Sequence, residues 1–115
     1  MARDLLITSD LMFSSQLQQA AVSAGGEVEV VTGGGLADAL AREAPARVFI
    51  DLNCPSVDAE SIRARLSAVD PPPRTVAYAN HVRQDLLAAA AAAGFGQVLT
   101  RGQFHARMNE FFASE

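Results

Sequence analysis

The amino-acid sequence predicts an α/β fold in which a five-stranded parallel sheet is covered by helices on both faces. Five short apolar runs of strand length alternate along the chain with five stretches whose apolar residues recur at helical spacing. This alternation is typical of parallel sheets, and right-handed crossovers restrict the topology to a doubly wound sheet. Functional groups in such sheets lie beyond the carboxyl ends of the strands.

The predicted strands and helices are bounded by residues that stop regular structure. The strands fall at residues 5–7, 28–31, 48–50, 75–79 and 98–99. Each of the first four predicted helices is followed by a residue that ends helices, namely Gly25, Pro45, Pro71 and Gly94. The triplet at 33–35 is predicted to be a flexible turn. The helices are marked by Phe13 and Leu17, by Leu36 and Leu40, by Ile62 and Leu66, by the alanine run 88–93, and by Phe104, Met108, Phe111 and Phe112.

Length, composition and charge favour one cytoplasmic domain over residues 1–115. Half of the residues are hydrophobic and 19% are charged, which is a globular composition. The net charge is −4, and the nine basic residues, all arginine, are spread along the chain, so we expect no nucleic-acid binding. No apolar run is long enough to span a membrane. Cys54 is the only cysteine, which suits a reducing compartment. Met1 and the short tail suggest a near-complete unit.

Two carboxylates stand where strands end. Asp10 comes shortly after the first strand, and Asp51 directly follows the third. We expect these strands to be neighbours, so that both acids point into one crevice. Paired carboxylates with a loop carbonyl suit a divalent cation such as magnesium. In the alternative interpretation, Asp10 caps the first helix and Asp51 caps the loop that follows it.

The segment Asp51-Leu52-Asn53-Cys54-Pro55 resembles the D-x-N-x-P segment of chemotaxis-type response-regulator receiver domains. The resemblance covers nearly the whole chain and implies a flavodoxin-like sheet of strand order 2-1-3-4-5 with five helices. It also implies that Asp51 accepts a phosphoryl group from a histidine kinase. The implied magnesium ligands are Asp10, Asp51 and the backbone carbonyl of Asn53.

Four positions depart from the receiver pattern. Ser9 replaces one of two acids, Ala79 replaces a hydroxyl residue, and Thr100-Arg101 stands where the family has Lys-Pro. With one charge missing near the metal, we expect weak magnesium binding. Thr100 and Gln103 have the spacing of a capping box, and Arg101 is then simply solvated. In the alternative, Arg101 leans inward as a substitute cation. Either way the chain resembles a degenerate receiver.

The sequence therefore predicts a stand-alone, receiver-like signalling module that acts by protein–protein contact, with phosphorylation at Asp51 weak or lost. Its catalysis would be limited to slow self-phosphorylation and autodephosphorylation. One alternative is a working magnesium-dependent phosphoacceptor in a two-component phosphorelay. The other is an unrelated flavodoxin-like enzyme or ligand-binding domain. The expected partners are a histidine kinase or an output protein. The alanine-rich stretch from the fourth strand to the last helix also suits a homodimer.

Overall fold

The computed structural model describes residues 3–32, 35–42, 44–54 and 58–113, and it contains eleven regular elements within them. Two predicted features, the turn residues Gly33-Gly34 and the motif residue Pro55, lie outside the described residues. The strands are β1 (Asp4–Ile7), β2 (Val28–Val31), β3 (Arg47–Asp51), β4 (Arg74–Ala79) and β5 (Gln97–Thr100). The helices are α1 (Leu11–Ser23), α2 (Leu36–Arg42), α3 (Ala59–Ser67), α4 (Gln84–Ala93), α5 (Arg101–Ala106) and α6 (Glu110–Ala113).

The five strands form one sheet of order β2-β1-β3-β4-β5, and every neighbouring pair is parallel. This confirms the predicted fold class and strand order. Ile7 of β1 stands in register with Ile50 of β3, so the chain leaves both strands at the same edge of the sheet. The carboxyl ends of β1 and β3 are therefore adjacent, as a crevice formed by Asp10 and Asp51 requires.

Each face of the sheet carries its own hydrophobic core, because side chains alternate along a strand. The face beneath α2, α3 and α4 is mainly aliphatic. The face beneath α1, α5 and α6 is rich in aromatic rings. The first core includes Leu5, Ile7, Val48, Ile50, Ala77 and Ala79, and the second includes Leu6, Phe13, Phe49, Tyr78, Phe104 and Phe112.

The last predicted helix is divided into the short helices α5 and α6. A turn at residues 107–109 separates them, and the amide of Arg107 donates to the carbonyls of Gln103 and Phe104. The Arg47 guanidinium donates to the Phe111 carbonyl, which anchors the second segment against the sheet. The turn places Phe112 inside the aromatic core and leaves Phe111 half-buried against it. None of the helices in the described ranges is long and apolar enough to cross a membrane.

An ion-pair cluster on β2 predicts how stability depends on pH. The hydrogen bond from Arg42, together with the charge of Arg3, lowers the pKa of Glu29 below its ordinary 4.5. Since the folded-state pKa is the lower one, ionised Glu29 stabilises the fold above pH 4.5, and this contribution disappears as the pH falls through the folded-state pKa. We expect Glu29→Gln to reduce the free energy of unfolding near neutral pH and to flatten its decline in acid.

Urea unfolding at neutral pH and on the acid side of 4.5 measures this effect. The matched control is Glu27→Gln, which removes an equally charged, exposed side chain two residues earlier. Identical pH profiles for the two variants would contradict the assignment to the arginine contacts of Glu29.

Candidate functional site

Asp51 ends β3 as a nearly buried carboxylate, with 6% of the residue exposed. One of its oxygens, Oδ2, accepts a hydrogen bond of 2.6 Å from the Thr8 hydroxyl. The other, Oδ1, accepts one of 2.9 Å from the backbone amide of Asn53. Both oxygens are thus already engaged, which is how a charged group becomes tolerable inside a protein.

Asp10 performs the capping role that the sequence allowed. Its Oδ1 accepts a hydrogen bond of 3.0 Å from the Phe13 amide at the start of α1. Its own amide donates to the Thr8 hydroxyl at 3.0 Å, and that hydroxyl in turn donates to Asp51. Thr8 therefore links the two acidic positions at one edge of the sheet. The pKa of Asp10 is lowered, first by the Phe13 amide and also by Arg101.

The capping interpretation expected the Arg101 side chain to be simply solvated, but the side chain contacts two residues of the site. Its Nη2 lies 2.7 Å from Oδ2 of Asp10, and its guanidinium carbon lies 4.9 Å from the centre of the Phe13 ring. Arginine suits this position because its guanidinium is weakly hydrated, stacks on aromatic rings and binds carboxylates. The Arg101 side chain remains 41% exposed, so the pair lies at the protein surface. Arg101 thus leans inward and pairs with Asp10, and its role as a substitute cation stays a prediction.

The predicted capping box at the start of α5 is present. The Thr100 hydroxyl accepts from the Gln103 amide at 3.1 Å, and the Gln103 side chain accepts from the Thr100 amide at 2.9 Å. Arg101 is therefore the first residue of a helix whose start is fixed. The cap fixes where Arg101 stands, and the contact with the Phe13 ring holds its guanidinium beside Asp10.

Two polar groups of the site were missed by the sequence predictions. The sequence predictions assign no role to Thr8, although a hydroxyl residue just before Ser9-Asp10 is a signal that could have been used. Tyr78 is 1% exposed and packs against Phe13 and Phe104 in the aromatic core. Burial raises the pKa of its phenol, and the charge of Asp51 raises that pKa further.

The Tyr78 hydroxyl and the Asn53 amide nitrogen are both buried without a hydrogen bond of ordinary geometry to any described residue. The Thr8 hydroxyl is close enough to the phenol to offset part of its pKa rise, although it is engaged with Asp51 and Asp10. The side-chain oxygen Oδ1 of Asn53 accepts a hydrogen bond of 3.3 Å from the backbone amide of Asn80, which joins the loop after β3 to the end of β4.

Comparison with solved structures identifies the fold of the chain. A DNA-binding response regulator's signal receiver domain from Colwellia psychrerythraea is 18% identical, with a TM-score of 0.79 over 96% of this chain and 95% of that one. A receiver domain from Bermanella marisrubri is also 18% identical, with a TM-score of 0.78 over 96% and 98%. The chain has the response-regulator receiver fold. The beryllofluoride-activated NtrC4 receiver domain dimer is 14% identical, with a TM-score of 0.76 over 99% and 98%.

These low identities establish the fold alone. No protein-family model matches the sequence, and no curated protein matches it either. The chemistry of the site must therefore be argued from its own residues.

The departures from the receiver pattern have visible structural roles. Ala79 is fully buried in the aliphatic core, on the opposite face of β4 from Tyr78, and supplies no hydroxyl. Ser9 is exposed, and its hydroxyl accepts a long hydrogen bond of 3.6 Å from the Cys54 thiol. Neither residue adds a charge to the crevice.

The arrangement does not fit a resident magnesium ion. The described part of the chain contains no group of three or more His, Cys, Asp or Glu side chains placed to hold a metal. Both carboxylates of the predicted ligand set already accept hydrogen bonds on both oxygens. The guanidinium of Arg101 neutralises Asp10, which is the charge that a divalent cation would use. An ion would have to displace Arg101 before it could contact that oxygen.

Proposed function

We propose that this chain is a receiver-like signalling module that acts by contact with a partner protein, with phosphorylation of Asp51 weak or lost. The observation that carries the proposal is the ion pair between Arg101 and Asp10. This pair compensates the charge of the carboxylate that the resemblance assigns to magnesium, so a cation gains little by binding there.

Phosphoryl transfer depends chiefly on positioning and on neutralising the transferred group's charge. Here Asp10, the carboxylate that the resemblance assigns to magnesium, is paired with the Arg101 guanidinium. Ala79 is buried and supplies no hydroxyl that could move toward a phosphorylated Asp51. Asp51 itself is nearly buried, and its oxygens hold Thr8 and the Asn53 amide in place. We infer that the present role of Asp51 is mainly structural.

The face formed by α4 and the adjacent loop supports contact with a partner. Ala90 is the only α4 residue that is buried, so most of the alanine run faces outward. Val82, in the preceding loop, is 70% exposed. We propose that a second signalling protein covers this face, and a second copy of the chain is the alternative to be tested. The structurally similar NtrC4 receiver domain is a dimer, which is why self-association is the alternative to be tested.

Amide NMR spectra with magnesium, and then with magnesium and beryllofluoride, test the proposal. Beryllofluoride mimics an aspartyl phosphate. We expect no saturable shifts centred on Asp51 and no propagation to Ala79 or α4, because Arg101 holds the carboxylate that the cation needs.

Asp51→Asn is the control, since it removes the acceptor and keeps the side-chain shape. Shifts in the unmodified protein that spread from Asp51 to α4, and that vanish in Asp51→Asn, would instead support a working phosphoacceptor. Sedimentation over a range of concentrations separates self-association from contact with another protein.

A further inference from the structure

A second recess lies at the opposite edge of the sheet, where the strands begin. Its volume is about 490 Å³, within the range typical of small-molecule sites. Three arginines line it, namely Arg47, Arg63 and Arg74, against one carboxylate, Glu110. A third of the chain's nine basic residues thus meets in one place, on a protein whose net charge is −4.

Two of these arginines begin neighbouring strands. Arg47 is the first residue of β3 and Arg74 is the first residue of β4, and the two stand in register. Neighbouring strands lie roughly 4.8 Å apart, and like charges placed opposite each other destabilise a sheet. Asp4 pairs with Arg47 at 2.9 Å. Arg74 is exposed and has no carboxylate within ion-pair distance among the residues described.

The third arginine reaches the recess from α3. Arg63 is half-buried, and its Nη1 donates to the Ser67 hydroxyl at 2.7 Å. Gly94, at the end of α4, has φ +91, and a Cβ there would lie 3.7 Å from Nε of Arg63. That distance is ordinary van der Waals contact, so the positive φ at the helix end, rather than the space beside Arg63, is what favours glycine here.

The remaining wall is apolar. Pro72 and Pro73 line one part of the recess, and Phe111 lines another. Arg47 is fixed beneath this wall, because it donates to the Phe111 carbonyl and its guanidinium carbon lies 5.0 Å from the Phe112 ring. The recess therefore combines prearranged guanidinium groups with a hydrophobic surface.

We propose that this recess binds a small organic oxyanion, a phosphate or carboxylate carried on an apolar or aromatic body. The planar fork of arginine matches the oxygens of both groups. Arg74 and Arg63 supply the charge that the ligand neutralises, and Phe111 with the prolines covers its apolar part. The site is independent of Asp51 and of any phosphorylation there, since it lies at the other end of the strands.

Titration of the full chain with phenyl phosphate, followed by amide NMR, tests the proposal. We expect saturable shifts at Arg74, Gly94, Gly96 and Gln97. Inorganic phosphate should bind more weakly at the same amides, and benzyl alcohol, which lacks the charge, should produce no saturable shifts there. Arg74→Gln should weaken phenyl phosphate binding about tenfold, because hydrogen bonds to charged groups are among the stronger ones.

Arg65→Gln is the matched control, because it removes an equally charged, exposed side chain two residues from Arg63 on the same helix. It should change the affinity for phenyl phosphate by less than about twofold. Equal weakening by Arg65→Gln and Arg74→Gln would overturn the proposal, as would shifts confined to the Asp51 end of the sheet or an absence of saturable binding.

Discussion

Replacing Arg101 with alanine is expected to raise the affinity of the protein for Mg²⁺ about tenfold, or about 1.4 kcal/mol, because the cation then no longer competes with the guanidinium for the Asp10 carboxylate. Arg101 lies 2.7 Å from the Asp10 carboxylate in the native protein. Removing it leaves that carboxylate with backbone amides at the start of α1 as partners, chiefly the amide of Phe13. The site would then offer an outward-facing negative oxygen to a cation.

The fold should survive this change. Arg101 is 41% exposed, and half-exposed ion pairs contribute only about 0–1 kcal/mol to stability. Calorimetric titration with Mg²⁺ gives the affinity, and the beryllofluoride spectra described above show whether Asp51 then becomes responsive. Such a gain would identify Arg101 as the residue that keeps the site closed to metal.

Arg107→Ala is the control for the general effect of removing one positive charge. Arg107 is exposed and lies just after α5, and it makes no ion pair within the described part of the chain. An equal rise in Mg²⁺ affinity in both variants would show that net charge, rather than the pair with Asp10, sets the affinity. An unchanged affinity in Arg101→Ala would contradict the prediction outright.

Phe104→Ala is expected to lower the free energy of unfolding by about 3–5 kcal/mol, the usual cost of truncating a fully buried phenylalanine. Phe104 is 0% exposed. Its ring stacks on Tyr78 at a centroid distance of 4.4 Å and contacts Phe13 at 5.4 Å. The resulting cavity would lie between α1, α5 and the sheet, where several rigid rings leave little room for collapse.

Urea unfolding measures the loss, with Phe111→Ala as the matched control. Phe111 is only half-buried, so its truncation should cost clearly less than that of Phe104. Should Phe104→Ala fail to fold, Phe104→Leu still reports a smaller loss of the same sign. Equal losses for the two alanine variants would mean that the aromatic layer rearranges to fill the space.

Much of the fold could be predicted because the apolar runs are short, separate and bounded by clear stop signals. The capping box at Thr100 and the helix end at Gly94 are both local features, so the sequence alone is enough to locate them. The observed strand boundaries differ from the predicted ones by a residue or two. The strand β5, predicted over 98–99, extends to Gln97 and Thr100 because ladder hydrogen bonds continue past the apolar residues.

The site was less predictable because its decisive contacts join distant residues. Whether Arg101 turns to water or to Asp10 depends on the Phe13 ring, which lies far away in sequence. The division of the last helix depends likewise on the bond from Arg47 to the Phe111 carbonyl. The position of Asp10 as a cap followed from local spacing, whereas its second role as the partner of Arg101 did not.

The placement of Tyr78 has a practical consequence for optical work on this protein. The chain has one tyrosine and no tryptophan, so its ultraviolet emission arises from a single phenol held beside Asp51. Carboxylates quench tyrosine emission, and the fluorescence intensity therefore depends on the electrostatics of the crevice. Unlabelled protein thus carries its own spectroscopic reporter, which should respond when Arg101 is displaced or when the charge at Asp51 changes.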